Sequence, residues 1–128
     1  SAQAATVAAE LAQMARVASM EEIPEADIVV NATSVGMATG QADRPAGTAD
    51  TPVPATLLRP HHVVTDLVYH PLETRLLTEA REIGAQVVDG LGMLIHQAAL
   101  QQRLWTGAEP DLAAMRLAAE TELAARRR

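Results

Sequence analysis

The sequence predicts a parallel α/β sheet with right-handed crossovers. Three observations point to it. Apolar runs bounded by polar residues occur at Asp27 to Thr33, His62 to Tyr69 and Gln86 to Asp89, and runs without alternation suit strands buried on both faces of a parallel sheet. Helical segments come between and after them, the arrangement that folds as strand, crossover, strand. Each run ends in a polar or Gly-containing cluster: Asn31 to Gly36, Asp66 to His70 and Asp89 to Met93. Ligands of such sheets bind beyond the carboxyl ends of the strands, so the three clusters are expected to line one shared crevice.

Taken in order, Ala2 to Ala15 carries Val7, Leu11 and Met14 at helical spacing and reads as an amphipathic helix. Val17-Ala18 is expected to form a very short strand. Ser19 is a helix N-cap, with Glu21 and Glu22 in the first turn of a short helix that ends before Pro24. The first long strand follows at Asp27 to Thr33. From Ser34 to Pro54 periodicity disappears into a long loop, a length that in compact domains usually carries function or mobility. A turn of helix at Pro54 to Leu58 precedes the second strand. Pro71 is expected to start a helix presenting Leu72, Leu76, Leu77 and Ala80 on one face, with Gly84 as its stop. After the third strand, Gly90-Leu-Gly92 turns the chain into a helix carrying Met93, Leu94, Ala98, Leu104 and Trp105, which Gly107 caps. Pro110-Asp111 opens a last amphipathic helix that reaches Arg126-Arg127-Arg128.

Composition narrows the function. The chain has 128 residues, 48% hydrophobic and 20% charged, which suits one globular domain with a real core. Its net charge is -6, every basic residue is Arg, and aromatic residues make up 2%. Without a basic stripe or stacking aromatics it is a poor nucleic-acid or anionic-membrane binder. The terminal Arg triplet reads as a solvated helix end. With no Cys there are no disulfides or thiolate metal sites, and no apolar run approaches the roughly 20 residues of a membrane span. A soluble cytoplasmic protein is expected. Because the chain starts at Ser1 and not Met, it is expected to be processed, excised or truncated.

The strand-end clusters carry a specific resemblance. "EADIVVNATSVGM" (Glu25 to Met37), "VTDLVYHPLETRLL" (Val64 to Leu77) and "VDGLGMLIHQAALQQRLWTG" (Val88 to Gly107), in this order and spacing, resemble shikimate dehydrogenases. The likeness spans roughly Ala4 to Leu123. It implies the C-terminal part of a Rossmann-like doubly wound parallel sheet that lacks the first βα units, here as one partial NAD(P)-binding domain with C-terminal helices. It also implies reduction of 3-dehydroshikimate to shikimate with NADPH, on the route to chorismate and the aromatic amino acids.

By that resemblance Asn31, Thr33 and Ser34 lie beside the dinucleotide, Leu67, Gly90 and Met93 line the nicotinamide pocket, and Tyr69 and Gln97 reach the substrate. The chemistry is coherent. An amide at Gln97 both donates and accepts, which suits a hydroxylated ring acid. Gly90 and Gly92 allow close backbone approach and offer helix N-terminal amides.

Plainer readings stand beside these. Asn31 to Ser34 equally describes a polar strand exit with Asx or Ser turn chemistry. The glycines serve a tight turn as well as a ligand, Tyr69 fits a half-buried edge aromatic, Met93 fits core packing and Gln97 a solvated helix face. His96 adjoins Gln97 and so could touch a ligand, but reads better as a surface or satisfied histidine. His61, His62 and His70 lack metal-ligand spacing. Asp66 and Asp89 are either paired carboxylates or structural caps. Trp105 is expected to pack within an apolar helix face.

The chain departs from the family pattern at His70, where Asn or Arg is frequent, and at Arg75, where Pro is. It contains no Lys. By resemblance the catalytic Lys and its partner Asp belong to an N-terminal substrate domain expected to lie outside this chain, with the Gly-rich pyrophosphate loop and the Asn-Arg-Thr segment that reads the 2'-phosphate. No catalytic residue is therefore assigned here, and the chain alone is expected to turn over no shikimate. NADP is the expected cofactor, with NAD possible. The rival readings are a quinate/shikimate dehydrogenase that prefers NAD, a non-catalytic module binding nucleotide or a partner, and a structural remnant. In the order 3-2-1-4-5-6 the strand at Asp27 to Thr33 is strand four, and its neighbour, strand one, is absent. Its open apolar edge is expected to be completed by a missing segment, by a copy of the chain in a homo-oligomer, or by the first helix refolding over it.

Overall fold

A computed structural model describes Thr6 and residues 16–37 and 50–125. Apart from Thr6, the helix expected over 2–15 lies outside the described residues, as do the middle of the long loop at 38–49 and the Arg triplet. Three strands, β1 (Ile28–Asn31), β2 (Val63–Asp66) and β3 (Gln86–Val88), form a parallel sheet in the order β1-β2-β3. Three helices follow in turn: α1 (Arg75–Ile83) between β2 and β3, then α2 (Gly90–Thr106) and α3 (Leu112–Ala125). Short 3-10 helices at Met20–Glu25 and Ala55–Leu57 precede β1 and β2. This is the order expected of the last three strands of the doubly wound sheet.

Register follows from the pleat. Val29 lies opposite Val64, which lies opposite Val87, and Asn31 pairs with Asp66. Successive side chains alternate faces, so Val29, Asn31, Val64 and Asp66 share one buried face. Helix α1 covers that face with Leu76, Leu77 and Ala80, joined by Val53, Leu58 and Ala85. Each fully buried leucine contributes about 1.5–3 kcal/mol of transfer free energy. The other face is different. Ile28 is 62% exposed, Val30 53% and Val88 47%, so the expectation of strands buried on both faces fails. The reason is layering: no helix among the described residues packs on that side. The free edge of β1 likewise has no strand partner among the described residues.

The caps explain the helix limits. Thr74 caps α1, its hydroxyl accepting from the Leu77 amide at 3.3 Å, so the helix starts there and Pro71 opens no helix. Gly84 adopts φ 95°, a left-handed conformation that strains residues with a Cβ, and ends the helix. Asp89 caps α2 by accepting from the Gly92 amide at 3.2 Å. Gly90 and Gly92 therefore belong to the first turn of α2, where a turn before the helix was expected. Asp111 caps α3, accepting from the Ala114 amide at 3.0 Å. Ahead of β1, the Glu22 carboxylate accepts from the Ser19 backbone amide at 3.0 Å and pairs with Arg16, which holds its pKa down to about 2. That turn runs through Pro24 to Glu25 instead of ending before the proline, because the fixed φ of proline suits a helical turn. Val17-Ala18 forms no strand; a strand needs a hydrogen-bonded neighbour, and no described strand lies beside it.

Helices α2 and α3 pack as a hairpin through Leu91, Ile95 and Leu123, with Leu72 and Met115 against them. Leu91, Ile95 and Ala99 form the buried stripe of α2. Trp105 lies six residues past Ala99, about a third of a turn off that stripe. It is 80% exposed, against the expectation that it packs. Met93 is also exposed rather than buried in the core.

Candidate functional site at the strand ends

The carboxyl ends of β1 and β2 are joined by hydrogen bonds between side chains and backbone. Asn31, the last residue of β1, is buried. Its amide nitrogen donates to the Val35 carbonyl at 3.0 Å and to Asp66 Oδ1 at 2.9 Å. Its amide oxygen accepts from the Thr33 backbone at 3.0 Å and from the Thr33 hydroxyl at 2.7 Å. Two donors and two acceptor positions are thereby all filled from within the chain. Asn31 shapes an Asx-type turn, and Thr33 and Ser34 stand exposed on it. The polar-turn reading of this segment thus describes its geometry.

The exit of β2 runs alongside. The Leu67 amide donates to the Asn31 carbonyl at 3.0 Å, extending the ladder past the strands. The first turn of α2 presses against this exit. A Cβ on Gly90 would meet the Leu67 and Val68 carbonyls at 2.7 Å and the Asp66 carbonyl at 2.8 Å. Only a residue without a side chain fits there. A Cβ on Gly92 would meet nothing within 4 Å. Asn31, Thr33, Leu67 and Gly90 are therefore brought together by direct contact or one intervening bond. Met93 follows Gly90 by three residues on α2 and Gln97 follows Met93 by four, a spacing that puts them on neighbouring positions of one helix face. Both are exposed, and the Gln97 side-chain oxygen accepts from Gln101 at 3.1 Å. Tyr69 is 40% exposed, two residues beyond Leu67.

Two residues that the sequence reading gave no ligand role complete the arrangement. Asp66 is fully buried. Its Oδ1 accepts from Asn31 and from the Val68 amide at 3.0 Å, and its Oδ2 accepts from the Thr74 hydroxyl at 2.7 Å. Asp89 is engaged separately, as the cap of α2 and at 3.6 Å from Arg116. The two carboxylates therefore do not work as a pair. The signal for Thr74 was present in the sequence, since a threonine immediately before an amphipathic stretch is a capping residue.

The histidines offer no metal site: no group of three or more His, Cys, Asp or Glu among the described residues could hold an ion. His62 is buried at the start of β2. Its Nδ1 accepts from the Arg59 amide at 3.1 Å, which leaves the ring neutral with its proton on Nε2. Burial, reinforced by His61 alongside, pushes its pKa below the ordinary histidine value. His96 is exposed on α2. No helix among the described residues is long and apolar enough to cross a membrane.

A parallel sheet whose strand ends gather a polar turn, a leucine and a glycine-started helix defines a Rossmann-like α/β unit. Residues 90–120 match the family model described as the shikimate 5'-dehydrogenase C-terminal domain. The chain is 47% identical over 102 residues to a shikimate dehydrogenase (NADP(+)) of Pyrococcus abyssi, covering 77% of this chain and 35% of that protein. It is 48% identical over 96 residues to a quinate/shikimate dehydrogenase (NAD(+)) of Corynebacterium efficiens, covering 75% and 31%. Its fold matches the crystal structure of shikimate 5-dehydrogenase from Thermus thermophilus in complex with NADP(H) and shikimate. That match has a TM-score of 0.79 and 40% identity, over 93% of this chain and 42% of that one. The chain belongs to the shikimate dehydrogenase family and carries its C-terminal portion. It spans about a third of the length of the curated relatives it matches.

Proposed function

We propose that this chain is the C-terminal cofactor-domain portion of an NADP-dependent shikimate dehydrogenase, which reduces 3-dehydroshikimate to shikimate in the cytoplasm on the route to chorismate. The observation that carries the proposal is the convergence of the Asn31 turn, Leu67 and Gly90 at the strand ends, in a chain similar to an enzyme whose crystals hold NADP(H) and shikimate. The residues fit a dinucleotide. Thr33, whose amide and hydroxyl close the turn, and Ser34 stand exposed on it, and Met93 leaves apolar surface open one helical turn beyond Gly90, which abuts the Leu67 carbonyl, where a planar nicotinamide would cover it. When bound, NADP supplies the hydride donor and acceptor.

In this reading Thr33 and Ser34 hold the cofactor from the turn that Asn31 shapes, while Leu67, Gly90 and Met93 border the nicotinamide. Tyr69 and Gln97 hydrogen-bond the hydroxyls or carboxylate of the substrate and so orient the reacting carbon. By resemblance the base that moves the proton is a Lys, and the chain has none, so in this reading the base comes from residues beyond it, as do the pyrophosphate loop and the segment that reads the 2'-phosphate. A second reading, a quinate/shikimate dehydrogenase using NAD, is favoured by the likeness to the Corynebacterium efficiens enzyme.

Isotope-labelled product of the complete reading frame tests the site. Adding NADP+ should shift the amide resonances of Thr33, Ser34, Leu67, Gly90 and Met93, and adding shikimate should shift those of Tyr69 and Gln97. If shikimate moves only distant resonances, the substrate assignment is wrong.

A further inference from the structure

We propose that Asp66 is a positioning residue for the cofactor crevice, through which one buried carboxylate sets both the turn that presents Thr33 and Ser34 and the Leu67 to Tyr69 segment. This inference rests on the functional reading above. Asp66 sits at the end of the central strand with no exposed surface. All of its hydrogen bonds go to groups that donate: the Asn31 amide, the Val68 backbone and the Thr74 hydroxyl. An ionised carboxylate is an acceptor only, so it selects this arrangement over any in which those groups turn away.

The consequences run outward along named bonds. Because Asp66 and the Val35 carbonyl take both donors of Asn31, the amide oxygen of Asn31 must face Thr33. The Thr33 hydroxyl then accepts from the Val35 amide at 3.1 Å, which closes the turn. On the other side, the bond to Val68 bends the chain as it leaves β2 and sets where Leu67 and Tyr69 lie. The carbonyls of this same segment leave Gly90 room for only a hydrogen. Through Thr74, Asp66 is also tied to the cap of α1. Thr74 lies behind the Asn31 turn as well, its side chain 3.9 Å from where a Cβ on Gly36 would stand. Elements from three parts of the chain thus meet on one carboxylate at the base of the crevice.

The test uses the product of the complete reading frame and the variants Asp66→Ala and Asp66→Asn. The amide oxygen of Asp66→Asn still accepts from Asn31 and Val68. Without any ligand, Asp66→Ala should speed hydrogen exchange at Thr33, Val35 and Val68. The cross-strand amides of Val63 and Gln86, which donate to the Asp27 and His62 carbonyls, should keep their wild-type rates. In steady-state assays Asp66→Ala should raise KM for NADP+ by about 10- to 100-fold, as expected when a binding group is misplaced by about an ångström. The fall in kcat should be smaller, and Asp66→Asn should recover most of the affinity. Should Asp66→Ala not fold, Thr74→Val, which frees Oδ2, should still speed exchange at Thr33. Unchanged exchange at Thr33 and Val35 overturns the proposal. So does equal acceleration across the whole sheet, since Asp66 would then serve only global stability. If the wild-type protein shows no NADP+-dependent turnover, the functional reading falls, and the exchange rates still decide whether Asp66 holds the turn.

Discussion

At the scale of single residues, the two glycines that open α2 make a controlled comparison. A Cβ at position 90 would overlap three backbone carbonyls, while one at position 92 meets open space. Gly90→Ala should therefore displace the β2 exit and destabilise the protein by roughly 1–3 kcal/mol, the range of other overpacked core sites. Gly92→Ala should be neutral or stabilise by about 0.5–1 kcal/mol, because it replaces glycine inside a helix. Urea titration of both variants checks the pair; equal effects would refute the steric account. His62 supplies a pH dependence. Its folded pKa lies below the unfolded value of about 6.5, so the unfolded state binds more protons as pH falls. The stability tied to the neutral ring is complete above the unfolded value and is lost as pH drops through it. The thermal midpoint should fall between about pH 7.5 and pH 5.5, and His62→Gln should flatten that part of the curve. An unchanged slope in the variant would remove His62 from the account.

At the scale of elements, polar caps decide where the helices begin. Asp89→Ala leaves the Gly92 amide without its side-chain partner and should cost about 1 kcal/mol, typical of a lost N-cap. Thermal unfolding measures it, and a change below about 0.3 kcal/mol would show that solvent takes over the Gly92 amide. The three strands and three helices were legible because apolar runs, helical periodicity and C-terminal glycines are local signals. Pro71 misled because proline marks a permitted helix start, whereas the start is set by the Thr74 cap on the Leu77 amide, with Thr74 itself held by Asp66 eight residues away. The strand expected at Val17-Ala18 failed because pairing depends on a neighbour that two residues cannot specify. Trp105 was misplaced because apolar character alone does not set phase. The buried stripe of α2 is fixed by Leu123 on α3, a tertiary partner that no local pattern reveals. Asn31, Thr33, Leu67 and Gly90 were legible as a group because strand ends are where such sheets bind ligands. That Asp66 serves them all was not, since its role depends on Asn31, 35 residues away on the neighbouring strand, as well as on Val68 and Thr74.

At the scale of the whole molecule, the sheet has one covered face and one that exposes Ile28, Val30 and Val88, beside a β1 edge with no strand partner among the described residues. Apolar surface of this kind is usually met by another part of a protein or by another chain. The account gives the first role to the portion of the family fold that this chain does not span. Ile28→Lys should thus weaken assembly of the complete protein, lowering its thermal midpoint, while changing the 128-residue chain little; a larger loss in the short chain would contradict it. The central claim is that these residues serve a dehydrogenase only together with a base from outside them. The most direct measurement is the formation of NADPH from NADP+ and shikimate by two purified samples, the product of the complete reading frame and the 128 residues alone. The account predicts turnover by the first and none by the Lys-free chain. Turnover by the short chain, or none by the complete product with shikimate or quinate and either nicotinamide cofactor, would contradict it.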